Sequence, residues 1–255
     1  MIPSVIVTRP APAGPRLLRR LQQAGREAVW WPAFELGAAP DPSRARATLG
    51  SLADFDLAIF VSPAAVQAVA DLRDAPWPLD TMIGAVGAAT EAAVHLQLKL
   101  PDDALVIAPA DHGSGSEAFR AEWIRQARVA RRVLILRAQH GREWLGEQFV
   151  ATGAQVEVLP VYTRAERTLD DAGLKRLRRW VDADTPVVTI FSSSESVAAL
   201  DRQLAVSPGA PAWLRRGVAV ATHERVAEQL LAAGYTRVEL SAPDDDALMA
   251  RLESI

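Results

Sequence analysis

The sequence predicts an α/β protein of two similar flavodoxin-like lobes, in which parallel sheets are flanked by helices. Short runs rich in Val, Ile and Leu alternate along the chain with amphipathic segments, a pattern typical of strands buried on both faces of a parallel sheet. Part of the chain is also repeated, because Gly25 and Pro32 recur as Gly153 and Pro160 at one constant offset in the numbering. The length of 255 residues favours two domains over one.

The repeated unit is a strand, a helix and a second strand that ends at a proline. Arg9 and Arg137 follow the first apolar run of each copy and are separated by the same offset as the glycines and prolines. The second strand leads to Phe34 in one copy and to Tyr162 in the other, again at that offset. We interpret these two endings as the points where the chain passes between the lobes.

Composition excludes several classes of function. Hydrophobic residues make up 49% of the chain and charged residues 23%, the balance of a soluble globular protein. The net charge of −3 argues against a nucleic-acid partner and against a polybasic membrane-binding patch. Cysteine is absent, which excludes disulfides, thiolate metal sites and thiol nucleophiles. The N-terminus lacks the pattern of a signal peptide and no apolar run spans a bilayer, so we expect a cytoplasmic protein.

The first copy of the repeat opens on a predicted strand at residues 5–8, a short apolar run that a proline-rich loop follows. Leucines at helical spacing predict a helix that Gly25 ends. A second strand is predicted at residues 28–31. The small, polar, proline-bearing residues 35–42 predict a linker.

The middle of the chain repeats the alternation of strands and helices. The predicted strands are at residues 57–61, 82–86, 105–108 and 132–136. Ser62 and Pro63 predict a serine N-cap with proline in the first helical turn. Ser114 and Glu117 have the spacing of a capping box.

The last third contains the same kinds of element. Helices are predicted at residues 169–181, 222–233 and 244–252, and strands at residues 187–191, 217–221 and 238–240. The segment FSSSESV at residues 191–197 resembles FVSPAAV at residues 60–66, which extends the internal likeness beyond the repeated unit. Asp244, Asp245 and Asp246 are typical of a helix start.

Candidate binding residues lie at the predicted carboxyl ends of the strands, where open parallel sheets bind ligands. Helix N-termini at these ends suit anions. Any one serine or threonine there is better explained as a helix cap, but together they predict a substrate site. The predicted substrate-binding residues are Thr8, Arg9, Ser62, Gly87, Thr90, Gly113, Ser114, Gly115, Arg137, Ser193, Ser194, Thr222 and His223.

Other kinds of site are not favoured by the sequence. It contains no phosphate-binding P-loop, and Gly84 and Gly87 do not form a dinucleotide-binding fingerprint. No Ser–His–Asp triad or nucleophile elbow can be assembled from the spacing. Tyr162 is open to two interpretations, a tyrosine that packs at the end of a strand or a functional hydroxyl. The histidines are scattered without metal-ligand spacing; they are His95, His112, His140 and His223.

These segments together resemble the uroporphyrinogen-III synthase family. The resemblance covers nearly the whole chain and rests on the order and spacing of VIVTRP, FVSPAAV, AVGAAT, GSGSEAF, VLILRAQHGREWL, LPVYTR, TIFSSSESV and AVATHERVAEQLLAAGY. No single motif is specific. Residues 137–140 depart from the family, which has glycines around this turn.

The resemblance implies two lobes joined by a two-strand crossover, with the active cleft between them. On this chain the lobes are expected at residues 1–35 plus 166–255 and at residues 41–160. The implied reaction closes hydroxymethylbilane to uroporphyrinogen III, with inversion of ring D and loss of water, in haem biosynthesis. It implies a lyase without metal or organic cofactor, with Tyr162 assisting departure of the hydroxyl. We expect a monomer whose partner is this tetrapyrrole polycarboxylate.

Two other functions fit a duplicated α/β chain. One is a non-catalytic two-lobed protein that binds or senses a small molecule, since such folds host many functions. The other is a glycosyltransferase or another two-lobed enzyme, which would need a nucleotide-contacting acid or histidine at a strand end. His223 and Glu224 are the only residues of that kind next to Thr222.

Overall fold

The computed structural model describes residues 2–110 and 113–255. The chain divides into two compact units. Unit 1 contains Met1–Glu35 and Ala165–Ile255, and unit 2 contains Leu36–Arg164. The predicted fold class is confirmed, because parallel strands form two sheets that helices flank.

The described residues form eleven strands and eleven α-helices. The strands are β1 (Ser4–Val7), β2 (Ala28–Trp30), β3 (Phe34–Gly37), β4 (Leu57–Phe60), β5 (Met82–Ala85), β6 (Val106–Ile107), β7 (Arg132–Ala138), β8 (Gln155–Glu166), β9 (Val187–Phe191), β10 (Val218–Ala221) and β11 (Arg237–Leu240). The helices are α1 (Ala13–Gln23), α2 (Pro42–Gly50), α3 (Pro63–Leu72), α4 (Ala88–Gln97), α5 (Ser116–Arg125), α6 (Trp144–Val150), α7 (Asp171–Asp182), α8 (Ser194–Leu204), α9 (Ala210–Arg216), α10 (Glu224–Ala232) and α11 (Asp245–Glu253). A short 3₁₀ turn covers Leu52–Asp54.

The sheet of unit 1 has the strand order β11-β10-β9-β1-β2, and each neighbouring pair is parallel. Successive side chains of a strand point to opposite faces, so β1 contributes to two cores. Ile6 packs with Leu177 and Trp180 of α7 on one face. Val5 and Val7 belong to the second core, which α1 and α11 cover. Unit 1 is therefore a three-layer sandwich with a sheet between two layers of helices.

The sheet of unit 2 has the order β3-β8-β7-β4-β5-β6. Its two faces form separate cores for the same reason. Phe60 belongs to the core that α2, α3 and α4 cover, whereas Ile59 packs with Phe119 of α5 and Phe149 of α6. Parallel register between β4 and β7 pairs Ile59 with Ile135.

The internal repeat predicted from the sequence is present in the strand register. Val5 pairs with Ala28 in β1 and β2, and Val133 pairs with Val156 in β7 and β8. The residue numbers of both partners differ between the two pairs by the offset that relates the two copies. Helices α1 and α6 end in the same way, because Gly25 and Gly153 adopt positive φ angles of 74° and 88°. That left-handed conformation favours glycine at the end of a helix.

Two sequence-based expectations are wrong. The linker predicted at residues 35–42 contains part of β3, which is hydrogen-bonded beside β8, and α2 already begins at Pro42. The capping box of Ser114 and Glu117 does not form, because Gly115 is the N-cap of α5 and has no side chain to cap it. The Glu117 carboxylate instead accepts hydrogen bonds from the Arg142 guanidinium at 2.5 and 2.9 Å, a partner that is distant in the sequence.

Candidate functional site

Tyr162 lies in β8 within the core of unit 2, and only 3% of the residue is exposed. Its hydroxyl oxygen is 3.1 Å from the Ser62 Oγ and accepts a hydrogen bond from Arg164 Nη2 at 3.0 Å. The Arg164 guanidinium lies 5.7 Å from the centre of the Tyr162 ring. The Gln139 amide donates to the Tyr162 carbonyl at 3.0 Å, so the position of the phenol is defined from both the backbone and the side chain.

Ser62 connects this phenol to the start of a helix. It follows β4 directly and is the N-cap of α3, where its Oγ accepts a hydrogen bond from the Ala65 amide at 3.2 Å. A hydroxyl has one proton and two lone pairs. Ser62 can therefore cap α3 with one lone pair and donate its proton to Tyr162.

The loops after β5 and β6 bring Gly87, Ser114 and Gly115 together. Gly87, the N-cap of α4, forms an isolated antiparallel bridge with Ser114, and the Gly115 amide donates to the Val86 carbonyl at 2.7 Å. A Cβ atom on Gly87 would lie 3.1 Å from the Ser114 Cβ, and Gly115 has a φ of 95°. Close backbone approach and a positive φ thus explain both glycines.

Neither α4 nor α5 has a side-chain cap among the described residues. In α4 the Thr90 amide already donates to the Gly87 carbonyl at 2.9 Å, so an anion could bind only the remaining first-turn amides of that helix. Thr90 is buried within the first turn of α4. The Gly113 amide donates to the Ala110 carbonyl at 3.0 Å, and His112 lies outside the described residues.

Arg137, at the end of β7, is directed onto the loop that follows its own strand. Its Nη1 donates to the Arg142 carbonyl at 2.8 Å, and its Nη2 is 4.0 Å from a Glu143 carboxylate oxygen. The Arg137 side chain is 13% exposed, and its Nε is buried without a hydrogen-bond partner. That Nε is out of reach of a ligand, so Nη2, which lies 4.0 Å from Glu143, is the donor that could bind a carboxylate.

In unit 1, Thr8 and Arg9 already have partners within the fold. The Thr8 hydroxyl is buried and donates to the Ile190 carbonyl at 2.6 Å. Arg9 Nη1 lies 2.8 Å from Asp245, whose other carboxylate oxygen is 2.6 Å from Arg16. The side chains of Asp245 and Arg9 are 7% and 13% exposed and that of Arg16 is 54% exposed, so the three residues form an ion cluster that is buried at Arg9 and Asp245.

Burial and charge act in opposite directions in this cluster. Burial lowers the pKa of the Arg9 guanidinium despite the nearby Asp245 carboxylate. Burial alone would raise the pKa of Asp245, but the hydrogen bonds and charges of Arg16 and Arg9 outweigh it, and that pKa lies below its ordinary value of 3.8. All three groups are therefore charged at neutral pH.

The remaining predicted residues of unit 1 lie at the carboxyl ends of two adjacent strands, β9 and β10. Ser193 is the N-cap of α8 and accepts from the Ser196 amide at 3.2 Å. Ser194 Oγ donates to the Arg225 carbonyl at 3.4 Å. These contacts place both serines at the edge of the sheet where ligands are expected.

Thr222 and His223 follow β10 at the same edge. The Thr222 amide donates to the Phe191 carbonyl at 3.1 Å. His223 is exposed and is the N-cap of α10, where its Nδ1 accepts from the Arg225 amide at 3.2 Å. A neutral His223 therefore has its proton on Nε2, which remains a donor.

Two functional candidates were not singled out from the sequence. Arg164 contacts the Tyr162 hydroxyl, and its spacing of two positions on one strand places both on the same face, a signal the sequence already contained. The sequence around Asp245 indicates only a helix start. Its partners Arg9 and Arg16 lie near the opposite end of the chain, so no local pattern could have identified it.

Within residues 2–110 and 113–255, no group of three or more His, Asp or Glu side chains could hold a metal ion. No helix in the described ranges is long and apolar enough to cross a membrane.

Comparisons with known proteins agree with this architecture. The sequence model of the family described as uroporphyrinogen-III synthase HemD matches residues 15–250. The chain is 30% identical to uroporphyrinogen-III synthase of Salmonella typhimurium over 98% of its own length and 100% of that protein. It is 26% identical to the Escherichia coli uroporphyrinogen-III synthase over the same shares of both chains.

Solved structures show the same fold at lower sequence identity. A mutant uroporphyrinogen III synthase from Thermus thermophilus aligns with a TM-score of 0.64 at 14% identity, covering 98% of this chain and 97% of the other. The uroporphyrinogen-III synthetase from Helicobacter pylori aligns with a TM-score of 0.59 at 15% identity, covering 99% of both. From the match across nearly its whole length, this chain belongs to the uroporphyrinogen-III synthase family.

Proposed function

We propose that the protein is a uroporphyrinogen-III synthase, a lyase that cyclises hydroxymethylbilane with inversion of ring D and loss of water. The observation that carries this proposal is the family match over residues 15–250, joined by a relative of that name that aligns over its full length. The activity serves haem biosynthesis.

The net charge of the protein is −3, so its overall charge does not attract a polycarboxylate. Binding of such a substrate needs positive groups or amide donors placed at the site itself. Helix N-termini at the carboxyl ends of the strands offer amide donors and the positive end of the helix dipole. We therefore propose that substrate carboxylates bind at these ends. The proposed residues are Thr8, Arg9, Ser62, Gly87, Thr90, Gly113, Ser114, Gly115, Arg137, Ser193, Ser194, Thr222 and His223.

The two repeat-related arginines differ in what they can offer to a substrate. The Arg9 charge is offset by Asp245 at 2.8 Å, so its guanidinium is largely committed to the fold. The carboxylate paired with Arg137 is that of Glu143, which lies 4.0 Å away and is 78% exposed, so the charge of Arg137 is less committed to the fold. We propose Arg137 as the stronger carboxylate ligand of the two.

Tyr162 is proposed to assist departure of the substrate hydroxyl. Its oxygen accepts from Arg164 and can accept from Ser62, which occupies both lone pairs and leaves the phenolic proton to donate. Transfer of that proton to the leaving hydroxyl would produce water. The Arg164 cation would stabilise the negative charge left on the phenol oxygen. Holding the chain so that the inverted ring can attack supplies the remainder of the catalysis.

We further propose that the enzyme works as a cytoplasmic monomer without metal or organic cofactor, and without a nucleic-acid or membrane partner. We also propose domain limits of residues 1–35 plus 166–255 and 41–160, which the family resemblance implies. Extensive dialysis against chelator should leave turnover unchanged. Loss of turnover that one divalent ion restores would contradict the cofactor-free reaction.

The decisive experiment is incubation of the protein with freshly prepared hydroxymethylbilane, followed by oxidation and identification of the porphyrin isomer. A synthase yields the type III isomer. Type I alone, the product of spontaneous closure, would reject the proposed activity and leave a non-catalytic binding protein as the explanation of the fold.

A further inference from the structure

An ion pair in unit 2 joins two segments that carry residues of the proposed substrate site. The Arg142 guanidinium donates to both carboxylate oxygens of Glu117, at 2.5 and 2.9 Å. Arg142 lies in the loop between β7 and α6, and Glu117 lies in the first turn of α5. The two side chains are 46% and 50% exposed, and neither residue is among those proposed above to contact the substrate. A contact with two parallel hydrogen bonds fixes the relative position of the segments that it joins.

On the β7 side, the pair fixes the loop that supports Arg137. The carbonyl of Arg142 accepts a hydrogen bond from Arg137 Nη1 at 2.8 Å, so one residue contacts Glu117 with its side chain and Arg137 with its backbone. The loop residues 139–143 are exposed, and a segment without buried side chains opens easily unless polar contacts hold it. The direction in which Arg137 presents Nη2 therefore depends on where the Arg142 carbonyl lies.

On the α5 side, the pair is attached to the start of the helix that follows residues 113–115. A Cβ on Gly115 would lie 3.6 Å from the Glu117 carboxylate, so this carboxylate lies beside the N-cap of α5. The Gly115 amide donates to the Val86 carbonyl at 2.7 Å, which holds the segment against the end of β5. The ion pair thus links the loop after β7 to a second segment with proposed binding residues.

We propose that Glu117 and Arg142 are positioning residues for the substrate site, and that they act by holding Arg137 in the direction in which it binds a substrate carboxylate. This inference rests on the proposed synthase function and extends it to two residues that do not themselves contact the substrate. An exposed ion pair contributes little to stability, so its loss should loosen the loop without unfolding the protein. The effect should appear in KM, because a carboxylate remote from the reacting ring is bound alike in the ground state and the transition state.

Glu117→Gln is the diagnostic variant, because charge and positioning predict opposite results for it. The substitution removes a negative charge, which by itself would favour binding of a polycarboxylate and lower KM. Loss of positioning instead raises KM for hydroxymethylbilane, by roughly two- to fivefold for an exposed pair, while kcat and the melting temperature stay nearly unchanged. The measurement is steady-state kinetics with identification of the type III product, and a thermal melt of each variant.

The matched control is Asp74→Asn. Asp74 pairs with Lys99 at 2.7 Å and its side chain is 95% exposed. It follows the carboxyl end of α3, the opposite end from Ser62, so the variant makes the same change in charge away from the proposed site. KM should stay the same or fall slightly. A rise in KM equal to that of Glu117→Gln would mean that loss of any surface ion pair disturbs the assay, and would overturn the proposal.

The double variant Glu117→Gln with Arg137→Gln tests whether the pair acts through Arg137. Arg137→Gln alone should raise KM, and addition of Glu117→Gln should then change it little. Multiplication of the two separate effects would overturn the proposal, because the pair would then act independently of Arg137. An unchanged or lowered KM in Glu117→Gln alone would also overturn it. Wild-type protein that yields the type I isomer alone would reject the synthase function, and this inference with it, before any variant is compared.

Discussion

The sheets of the two units are built from matching strands that the chain visits in a different order. Unit 1 reads β2-β1-β9-β10-β11 across the sheet, and the five strands of unit 2 beyond its edge strand β3 read β8-β7-β4-β5-β6 in the same direction. Numbered along its own chain, unit 1 has the flavodoxin-like order 2-1-3-4-5. In unit 2 the strands equivalent to β1 and β2 come last, so the same arrangement is circularly permuted.

The register shows that this equivalence is detailed. Val7 pairs with Ile190 between β1 and β9, and Ile135 pairs with Ile59 between β7 and β4. Val7 and Ile135 are related by the offset of the repeated unit, and Ile190 and Ile59 by the offset between FSSSESV and FVSPAAV. Buried strand faces specify register strongly, whereas connections on the surface do not. The comparison indicates that strand order and register in these sheets depend on the buried faces of the strands more than on the order in which the chain connects them.

The functional difference between the units lies in what surrounds matched residues. Arg9 is neutralised by Asp245 inside unit 1, whereas Arg137 reaches its own loop in unit 2. Ser193 and Ser62 cap equivalent helices with the same 3.2 Å hydrogen bond, but Ser62 also contacts a tyrosine hydroxyl. Matched residues thus have different neighbours in the two units, and the contact with a tyrosine hydroxyl is present at Ser62 of unit 2.

The largest expected effect comes from Asp245→Asn, which breaks the ion cluster of unit 1. The substitution removes the carboxylate that pairs with the buried Arg9 and leaves only the weaker influence of Asp244, and such losses cost about 3 kcal/mol or more. The measurement is the free energy of unfolding in urea, with far-UV circular dichroism as the probe.

The matched control in unit 2 is Glu143→Gln. Glu143 lies 4.0 Å from Arg137 and its side chain is 78% exposed, so its removal should cost under about 1 kcal/mol. Similar costs for both variants would mean that the two arginines do not differ in the way the structure indicates.

Tyr162→Phe tests the difference between Tyr162 and its repeat counterpart Phe34. If the hydroxyl assists the loss of water, turnover of hydroxymethylbilane should fall by roughly 10²-fold with little change in KM. Residual turnover is expected because the substrate geometry is still held. Phe34→Tyr controls for the addition of a hydroxyl at the matched position and should leave turnover unchanged. Wild-type turnover in Tyr162→Phe would mean that this tyrosine serves only in packing and that its hydroxyl has no catalytic role.

Ser62→Ala and Ser193→Ala compare the two equivalent N-caps. Each should destabilise the protein by about 1 kcal/mol, because each removes one cap hydrogen bond. Ser62→Ala should also lower kcat several-fold, since the Tyr162 hydroxyl loses a partner that orients it. Ser193→Ala is expected to act on KM rather than kcat. The measurements are steady-state kinetics and the free energy of unfolding of both variants. A change in kcat for Ser193→Ala, or an unchanged kcat for Ser62→Ala, would contradict the prediction.

The last prediction concerns the pH dependence of the stability that Asp245 contributes, which should be absent at neutral pH and appear only in acid. A carboxylate whose pKa is lowered in the folded state stabilises the protein above its ordinary pKa of 3.8, and this contribution disappears as the pH falls through the lower folded value. The difference in unfolding free energy between wild type and Asp245→Asn should therefore be constant from about pH 5 to pH 8 and shrink below about pH 4. A difference that stays constant down to pH 2 would exclude this linkage.

Much of the fold could be predicted because its signals are local. The strand at Val187–Phe191, the N-cap of Ser62 and the helix-ending glycines Gly25 and Gly153 all follow from residues adjacent in the chain. The expectation for Ser114 and Glu117 is wrong because the helix begins one residue later, with Gly115 as its N-cap, and Glu117 pairs with Arg142. The linker at residues 35–42 was misassigned because β3 is an edge strand whose exposed residues alternate with half-buried ones. Half-exposed short strands resemble polar loops in a sequence.

By itself, the sequence determined the fold class, the internal repeat and its offset, and the family to which the chain is similar. Each of these depends on the order and spacing of residues, which the chain contains explicitly. Only the tertiary structure decided which charges and hydroxyls meet: Asp245 with Arg9, and Ser62 with Tyr162. Such pairs join segments up to 236 residues apart. Their geometry follows from the packing of whole helices on a sheet, which no local pattern encodes.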